Sequence, residues 1–310
     1  MSVKVGVIGV GNLGQHHARI ISRMHTVKLA GIADINTAKA GKIAQKLHVP
    51  LHENYQSLFD QIDAAVIAVP TVSHYKVARD MLSCGIHCLV EKPITETMAQ
   101  AEDLVVLASQ KNLILQIGHV ERFNPAVLKA REYINRPQFI EVNRLGPYDP
   151  RTSNIGVVLD LMIHDLDMVL SLIDSPIESL ESIGAKLVSR HEDIAKVRLR
   201  FKNKCIADLS ASRITLDRYR KIRIFQADSY ISIDYMSPSL KIYTKKMPEI
   251  SSLKDLNIIK PKLPKEEPLK NELEHFISCV QSGKRPAVSG EHGRDALELA
   301  IEILNNMKFN

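Results

Sequence analysis

The stretch Gly9-Val10-Gly11-Asn12-Leu13-Gly14 constrains this chain more than any other. Its glycines keep the spacing Gly-x-Gly-x-x-Gly and fall between an apolar run, Val3 to Ile8, and a helical pattern, Leu13 to His25. Glycine there permits a tight turn and lets a pyrophosphate approach the main chain. The helix that follows offers N–H donors and the positive end of its dipole. A glycine-rich structural turn can share the spacing, so a second signal is needed. Asp34 supplies it, 20 residues beyond Gly14, at the end of the next apolar run, Val27 to Ala33. An acidic residue at that place accepts hydrogen bonds from ribose hydroxyls. It also repels a 2′-phosphate, and Ile35 and Asn36 supply no arginine to hold one. NAD is expected in preference to NADP; Lys39 and Lys42 are the argument on the other side.

Similar short apolar runs follow at Ala64 to Val69, Cys88 to Val90 and Leu113 to Ile117, with a weaker one at Val49 to His52. None alternates polar with apolar, which is how strands read when both faces are buried. Helical patterns separate them at Thr37 to Leu47, His74 to Cys84 and Met98 to Lys111. The alternation predicts a doubly wound parallel sheet, an N-terminal Rossmann domain over residues 1–121. Ligands of such sheets lie outside the carboxyl ends of the strands. Pro70, Thr71 and His74 follow the fourth run, Glu91, Lys92 and Pro93 the fifth, and Gly118 and His119 the sixth. These segments are expected to converge with Asn12, Leu13 and Gly14 on one dinucleotide crevice.

Beyond about residue 125 the pattern changes. A helix at Pro125 to Ile134 and a strand at Phe139 to Leu145 precede a long apolar helix, Val157 to Ile173. Extended segments come next: Ser179 to Ser189, Ala195 to Phe201, Ile206 to Ile214, Arg220 to Gln226, Ile231 to Tyr235 and Leu240 to Tyr243. The alternation Lys196-Val197-Arg198-Leu199-Arg200-Phe201 favours an antiparallel sheet with one wet or partner-facing side. Met247 to Pro268, rich in Lys and Pro, reads as a loop, and two helices close the chain near Asn271 to Gln281 and Glu291 to Met307. The fold class expected is α/β, with a C-terminal α+β domain over residues 122–310 built on a large open, mostly antiparallel sheet. The closing helices near 271–307 are free to pack back on the Rossmann domain.

Lys92 stands at a strand end before a proline. Pro93 fixes the local backbone, and a Lys–Pro bond is compatible with a cis peptide. Near a bound nicotinamide such a lysine can act in acid–base chemistry; in isolation the reading as a surface lysine at a loop start is the stronger one. The long helix adds weight. It is apolar almost throughout, yet Asp160, His164 and Asp167 stand at i, i+4 and i+7 along one stripe. Buried polar groups are costly unless paired or functional, and a carboxylate beside an imidazole orients it. A His–Asp pair that only satisfies itself in the core is the plainer alternative.

Composition excludes several classes. Hydrophobic residues make up 45% and charged residues 25%, the profile of a soluble globular chain of 310 residues. No apolar run is long enough to span a bilayer, and the apolar start, Val5 to Val10, is short and glycine-interrupted, so a cytoplasmic protein is expected. Cys84, Cys88, Cys205 and Cys279 form no Cys-x-x-Cys pair, so neither a zinc site nor a disulfide framework is expected, and no metal. The net charge of +6 comes from scattered residues rather than a dense basic block, which disfavours nucleic acid. A basic cleft for an anionic substrate accounts for it equally well.

Glu91-Lys92-Pro93 after the fifth run, together with Asp160-x-x-x-His164 on a long helix, resembles the Gfo/Idh/MocA oxidoreductase family over nearly the whole chain. The resemblance implies that Lys92, Asp160 and His164 face the substrate and that the second domain's sheet binds substrate and builds homodimers or homotetramers. The stretch Gly118-His119-Val120-Glu121-Arg122-Phe123-Asn124-Pro125 is similar to that of the nucleotide-sugar members. This implies oxidation at carbon three of a sugar such as UDP-N-acetylglucosamine, giving a 3-keto sugar for amino-sugar biosynthesis. Val157 after Gly156 departs from the second glycine of many relatives. In the implied mechanism His164 is the base, Asp160 its orienter and Lys92 the hydrogen-bonding partner; the reverse assignment stays open. Arg122, Asn124, Tyr148, Arg151 and Arg213 are candidates for the substrate wall, since arginine forks match phosphate oxygens. A free polyol such as an inositol is the alternative substrate, and a dinucleotide-sensing regulator the alternative class.

Overall fold

The computed structural model describes residues 2–309 except 153, 247, 248, 250, 251, 253 and 254, and except the Arg151 side chain. Two compact units emerge: Met1–Val120 with Glu267–Asp295, and Glu121–Glu266 with Ala296–Asn310.

The first unit carries β1 (Val3–Ile8), β2 (Val27–Ala33), β3 (Leu51–His52), β4 (Ala64–Ile67), β5 (His87–Glu91) and β6 (Leu115–Gly118). Helices α1 (Gly14–Ile21), α2 (Thr37–Leu47), α3 (Thr71–Ser83) and α4 (Met98–Gln110) alternate with them. The strands form one parallel sheet in the order β3-β2-β1-β4-β5-β6. The order reverses between β1 and β4, so the turn after β1 opens at the switch point where such sheets take ligands. All four residues of β4 are buried, which is why the segment shows no alternation. The Pro268–Ser282 helix belongs to this unit, and its Leu273, Phe276 and Ile277 join the cluster holding Val5, Val7 and Ile21. Each such burial contributes roughly 1.5–3 kcal/mol.

The expected doubly wound sheet is present, with changed edges. The third strand is only Leu51–His52; Pro50 lacks an N–H for the ladder and lends only its carbonyl, to Ile32. α1 stops at Ile21 rather than His25, and α3 starts at Thr71 with Pro70 as its N-cap.

The second unit carries α5 (Pro125–Ala130), β7 (Phe139–Leu145), a π-helical turn (Val158–Met162), α6 (Ile163–Leu172) and β8 (Ile177–Ala185). There follow β9 (Ile194–Phe201), β10 (Ile206–Ser212), β11 (Tyr219–Phe225), β12 (Ser229–Asp234), β13 (Ser239–Lys245), β14 (Leu256–Ile259) and β15 (Lys308–Phe309). They make one nine-stranded sheet, β14-β13-β12-β11-β7-β10-β9-β8-β15. Only the β7–β10 and β8–β15 pairings are parallel. In β9, Ala195, Val197, Leu199 and Phe201 are buried while Lys196, Arg198 and Arg200 are exposed. The buried face shares a core with Val158, Met162, Leu166 and Val169 of the π turn and α6.

Two expectations need correction here. The stretch Met247 to Pro268 is not all loop: β14 lies within it, pairing Lys245 with Leu256. A four-residue edge strand with Asn257 and Ile258 exposed shows no readable period. The long helix is not uniformly α-helical either. Its first turn is π-helical, with the Ile163 N–H donating to the Val158 carbonyl, so Asp160 does not sit on a plain 3.6-residue stripe with His164 and Asp167. No helix among the described residues is long and apolar enough to cross a membrane.

Candidate active site

β1 delivers the glycine loop at the switch point. Gly9 adopts φ +81°, and a Cβ on it would lie 2.7 Å from the Ala68 carbonyl oxygen, so only glycine fits. A Cβ on Gly14 would lie 1.8 Å from the Gly9 carbonyl oxygen, which the close approach of α1 to the loop forbids. Nothing lies within 4 Å of the corresponding point on Gly11, which leaves open space above the loop. Leu13 is the N-cap of α1 and makes no side-chain cap, and no acidic residue occupies the first turn, so the helix N-terminus is open to an anion.

Asp34 shapes this loop. Its Oδ2 accepts from the Val10 N–H and its Oδ1 from the Asn36 N–H, both at 2.8 Å. Each oxygen keeps a further lone pair for a ribose hydroxyl. Gly9, Gly11, Asp34, Lys39, Tyr55 and Pro70 help line a cavity of about 420 Å³. Cradle, donors and carboxylate fit a nicotinamide dinucleotide. His74 and Thr71 are not part of that lining. His74 is buried, with Nδ1 at 2.8 Å from the Pro93 carbonyl and Nε2 at 2.9 Å from the Val69 carbonyl. Burial pushes its pKa down, and the ring ties the segment after β4 to the segment after β5.

Lys92 is half-buried and follows β5 through a cis Lys92–Pro93 bond. The backbone is held on both sides. Glu91 turns into the core, where its Oε1 accepts from His17 Nε2 at 2.7 Å, and His74 grips Pro93. A Cβ on Gly118 would lie 2.8 Å from Glu91 Oε2, so β6 must present glycine there. His119, next along, is buried.

His17 and Glu272 escaped sequence reasoning. Glu272, on the Pro268–Ser282 helix, is fully buried, and its carboxyl oxygens make no hydrogen bond among the described residues. Burial, and then the nearby Glu91 carboxylate, push its pKa well above the ordinary glutamate value. Burial also raises that of Glu91, but His17 and Lys92 outweigh it and hold the Glu91 carboxyl low. One acid of the pair is therefore ionised and the other protonated. Between the unfolded value, about 4.3, and its raised folded value, Glu272 keeps a proton that the unfolded chain has lost. Stability falls as pH rises through that window, by about 1.4 kcal/mol per pH unit while both conditions hold. E272Q lacks this proton, so its melting temperature is expected to fall less steeply than that of the native protein as pH rises above the ordinary glutamate range. Parallel melting profiles would show that Glu272 is not a buried acid.

In the second unit Asp160 lies in the π turn, a feature frequent at functional sites, and His164 is half-buried on the first turn of α6. Asp167 is buried because Arg122 grips it with Nε and Nη2 at 2.7 and 2.8 Å. Asn124 caps α5, its Oδ1 accepting from the Ala126 N–H. Arg213 is fully committed: Nε donates to Asp193, Nη1 to the Thr152 and Ile155 carbonyls, and Nη2 to Ser189 Oγ. Its guanidinium also lies 5.4 Å from the Tyr148 ring centroid. Arg122, Asn124 and Arg213 thus build the frame of the region. The Arg151 side chain lies outside the described residues.

Arg144, Arg218 and Arg220 also escaped sequence reasoning. With Gly146, Asp160 and Arg213 they help line a cavity of about 160 Å³. Strand pairing brings Arg144 to Arg220, so no short spacing in the sequence announces that meeting.

A parallel-sheet unit with a dinucleotide crevice, joined to a unit whose open sheet backs an acid–imidazole helix, defines a nicotinamide-dependent oxidoreductase. The chain belongs to the Gfo/Idh/MocA family. Residues 3–119 match the oxidoreductase family's NAD-binding Rossmann fold, and residues 132–232 match the GFO/IDH/MocA C-terminal domain. The chain is 33% identical over 305 residues to a UDP-N-acetylglucosamine 3-dehydrogenase of Acidithiobacillus ferrooxidans, covering 97% of this chain and 96% of the relative. A solved structure of the enzyme of that name from the same organism superposes with a TM-score of 0.92 at 32% identity, over 99% of this chain and 98% of the other. A myo-inositol 2-dehydrogenase of Thermotoga maritima is 26% identical, covering 99% of this chain and 96% of the relative.

Proposed function

We propose that the protein is an NAD-dependent dehydrogenase that oxidises carbon three of a UDP-N-acetyl-hexosamine to a ketone. The observation that carries this reading is the likeness to a UDP-N-acetylglucosamine 3-dehydrogenase, at 33% identity through 97% of the chain against 26% for the inositol enzyme. The bound dinucleotide supplies the hydride acceptor. The Gly9–Gly14 loop holds the pyrophosphate, and Asp34 accepts from the ribose hydroxyls and disfavours NADP. His164 removes the hydroxyl proton, Asp160 orients the imidazole and steadies the imidazolium that forms, and Lys92 donates a hydrogen bond to the oxygen as negative charge develops on it. Tyr148 touches the substrate, while Arg122, Asn124 and Arg213 hold that wall in place.

Copies pair through the open sheet to give a homodimer or homotetramer. The cross-strand row Phe139, Phe225, Tyr230, Tyr243, with centroid spacings of 5.8, 4.8 and 5.1 Å, supports this. The reaction belongs in the cytoplasm, where NAD and nucleotide sugars are supplied.

The test is NADH formation followed by absorbance, with NAD or NADP and either UDP-N-acetylglucosamine or myo-inositol. A 2-oxo acid is offered in a coupled arm to recycle tightly held NADH. Turnover with the nucleotide sugar and NAD is expected. Turnover with inositol alone would replace this reading by the polyol one, which the full-length inositol relative favours.

A further inference from the structure

The pairing of β7 with β11 sets Arg144 directly opposite Arg220. Like charges at opposed positions repel unless something answers them. Arg144 is answered within the protein. Asp165 accepts from its Nε and Nη2 at 2.8 and 2.7 Å, and Glu121 from its Nη1 at 3.3 Å.

Arg220 is half-buried, and neither it nor Arg218 has an ion pair or hydrogen bond from its side chain among the described residues. Burial, and then the charges of Arg144 and Arg218, work against the Arg220 guanidinium, while Glu121 and Asp165 work for it. A half-buried cation in that setting invites an external anion.

Arg218 and Arg220 line the same cavity of about 160 Å³. That is smaller than the roughly 300–1,000 Å³ of a pocket for a whole ligand, so it suits one part of a larger molecule. Arg220 lies in β11 and Arg218 immediately precedes that strand, and both reach the same cavity. Two planar forks so placed match an anion with two phosphate groups better than a single carboxylate. Asp149 and Asp160 line the cavity as well, so its affinity depends on fork geometry rather than on surplus charge. Asp160 also ties the cavity to the π turn that leads into His164.

We propose that Arg218 and Arg220 form the subsite for the diphosphate of a nucleotide-sugar substrate. The inference rests on the nucleotide-sugar reading, and it is what separates that substrate from a free polyol, which has nothing to place there.

The test titrates UDP into the full-length protein with its dinucleotide site saturated by NADH, by calorimetry. Native protein is compared with R218M, R220M and the double variant, with circular dichroism and NADH affinity as checks on folding. Uridine, inorganic pyrophosphate and N-acetylglucosamine 1-phosphate serve as further probes, separating the diphosphate from the base and from a single phosphate. The double variant is expected to lose about 10–100-fold in UDP affinity, and its KM for UDP-N-acetylglucosamine to rise by a similar factor. Uridine is expected to bind far more weakly than UDP and equally to all variants. R218M alone, at an exposed position, keeps the test usable if R220M fails to fold.

Equal UDP affinity in native and variant proteins, or no UDP binding by the native protein, would overturn the subsite. UDP affinity is read without turnover, so the two claims fail separately. Nucleotide-sugar oxidation with an unchanged KM in the variants sinks only the subsite. Absent oxidation with Arg-dependent UDP binding sinks only the carbon-three reading.

Discussion

Replacing Lys92 by Met is expected to lower kcat/KM by about 10²–10⁴-fold while dinucleotide binding is retained. Methionine keeps the length and apolar stem of the side chain but removes the ammonium. The backbone that presents it should survive the change. Glu91 is anchored on His17 at 2.7 Å, Pro93 on His74 at 2.8 Å, and Thr95 Oγ1 donates to the Thr97 carbonyl at 2.9 Å. The dinucleotide contacts proposed at Gly9, Gly11 and Asp34 come from other strand ends. Steady-state rates with UDP-N-acetylglucosamine, beside NADH fluorescence titration, check both halves. Retained turnover would remove Lys92 from the chemistry and leave it as one more strand-end lysine. Loss of turnover together with loss of NADH binding would show that the substitution had damaged the crevice, and K92R would then separate charge from geometry.

The first unit was legible because its signals are local. A fully buried strand reads as a plain apolar run, and Gly9, Gly11 and Gly14 stand within six residues of one another. Asp34 was legible for the same reason, since strand–turn–helix spacing fixes its place. What the sequence could not show depends on long-range pairing. His17, Glu91 and Glu272 come from α1, β5 and a helix near the end of the chain, and nothing short-range relates them. Arg144 and Arg220 are 76 positions apart and meet only through the β7–β11 register. The stripe of Asp160, His164 and Asp167 was read with an α-helical period, which a π turn breaks without leaving a compositional mark. Arg122 and Arg213, expected at the substrate wall because arginine forks match phosphate oxygens, are held by Asp167 and Asp193, partners that no short spacing relates to them. Charged residues in a chain with a net charge of +6 are common enough that only burial and partners distinguish a frame from a site.

That distinction makes Arg144 the sharpest structural test, and R144L is expected to destabilise the second unit by about 3–5 kcal/mol. Arg144 and Asp165 are each 3% exposed, and their two parallel hydrogen bonds tie β7 to α6. Burial works against the guanidinium, yet Asp165 and Glu121 outweigh it and hold its pKa above the ordinary value. Removing it leaves the Asp165 carboxylate buried with its principal partner gone, and that uncompensated charge, rather than the lost contact, dominates the cost. The double variant R144L/D165L should therefore be more stable than R144L, because it removes the orphaned charge along with its partner. Urea unfolding of the native protein, both single variants and the double variant closes the cycle. A double variant no better than R144L would mean that the pair's charge is not what holds β7 to α6. If Arg144 instead served the ligand, R144L would leave unfolding unchanged and weaken UDP binding, the behaviour expected of R218M and R220M. The cavity then divides by function. Arg144 and Arg213 are held by Asp165 and Asp193 and shape it, and Arg218 and Arg220 face the anion.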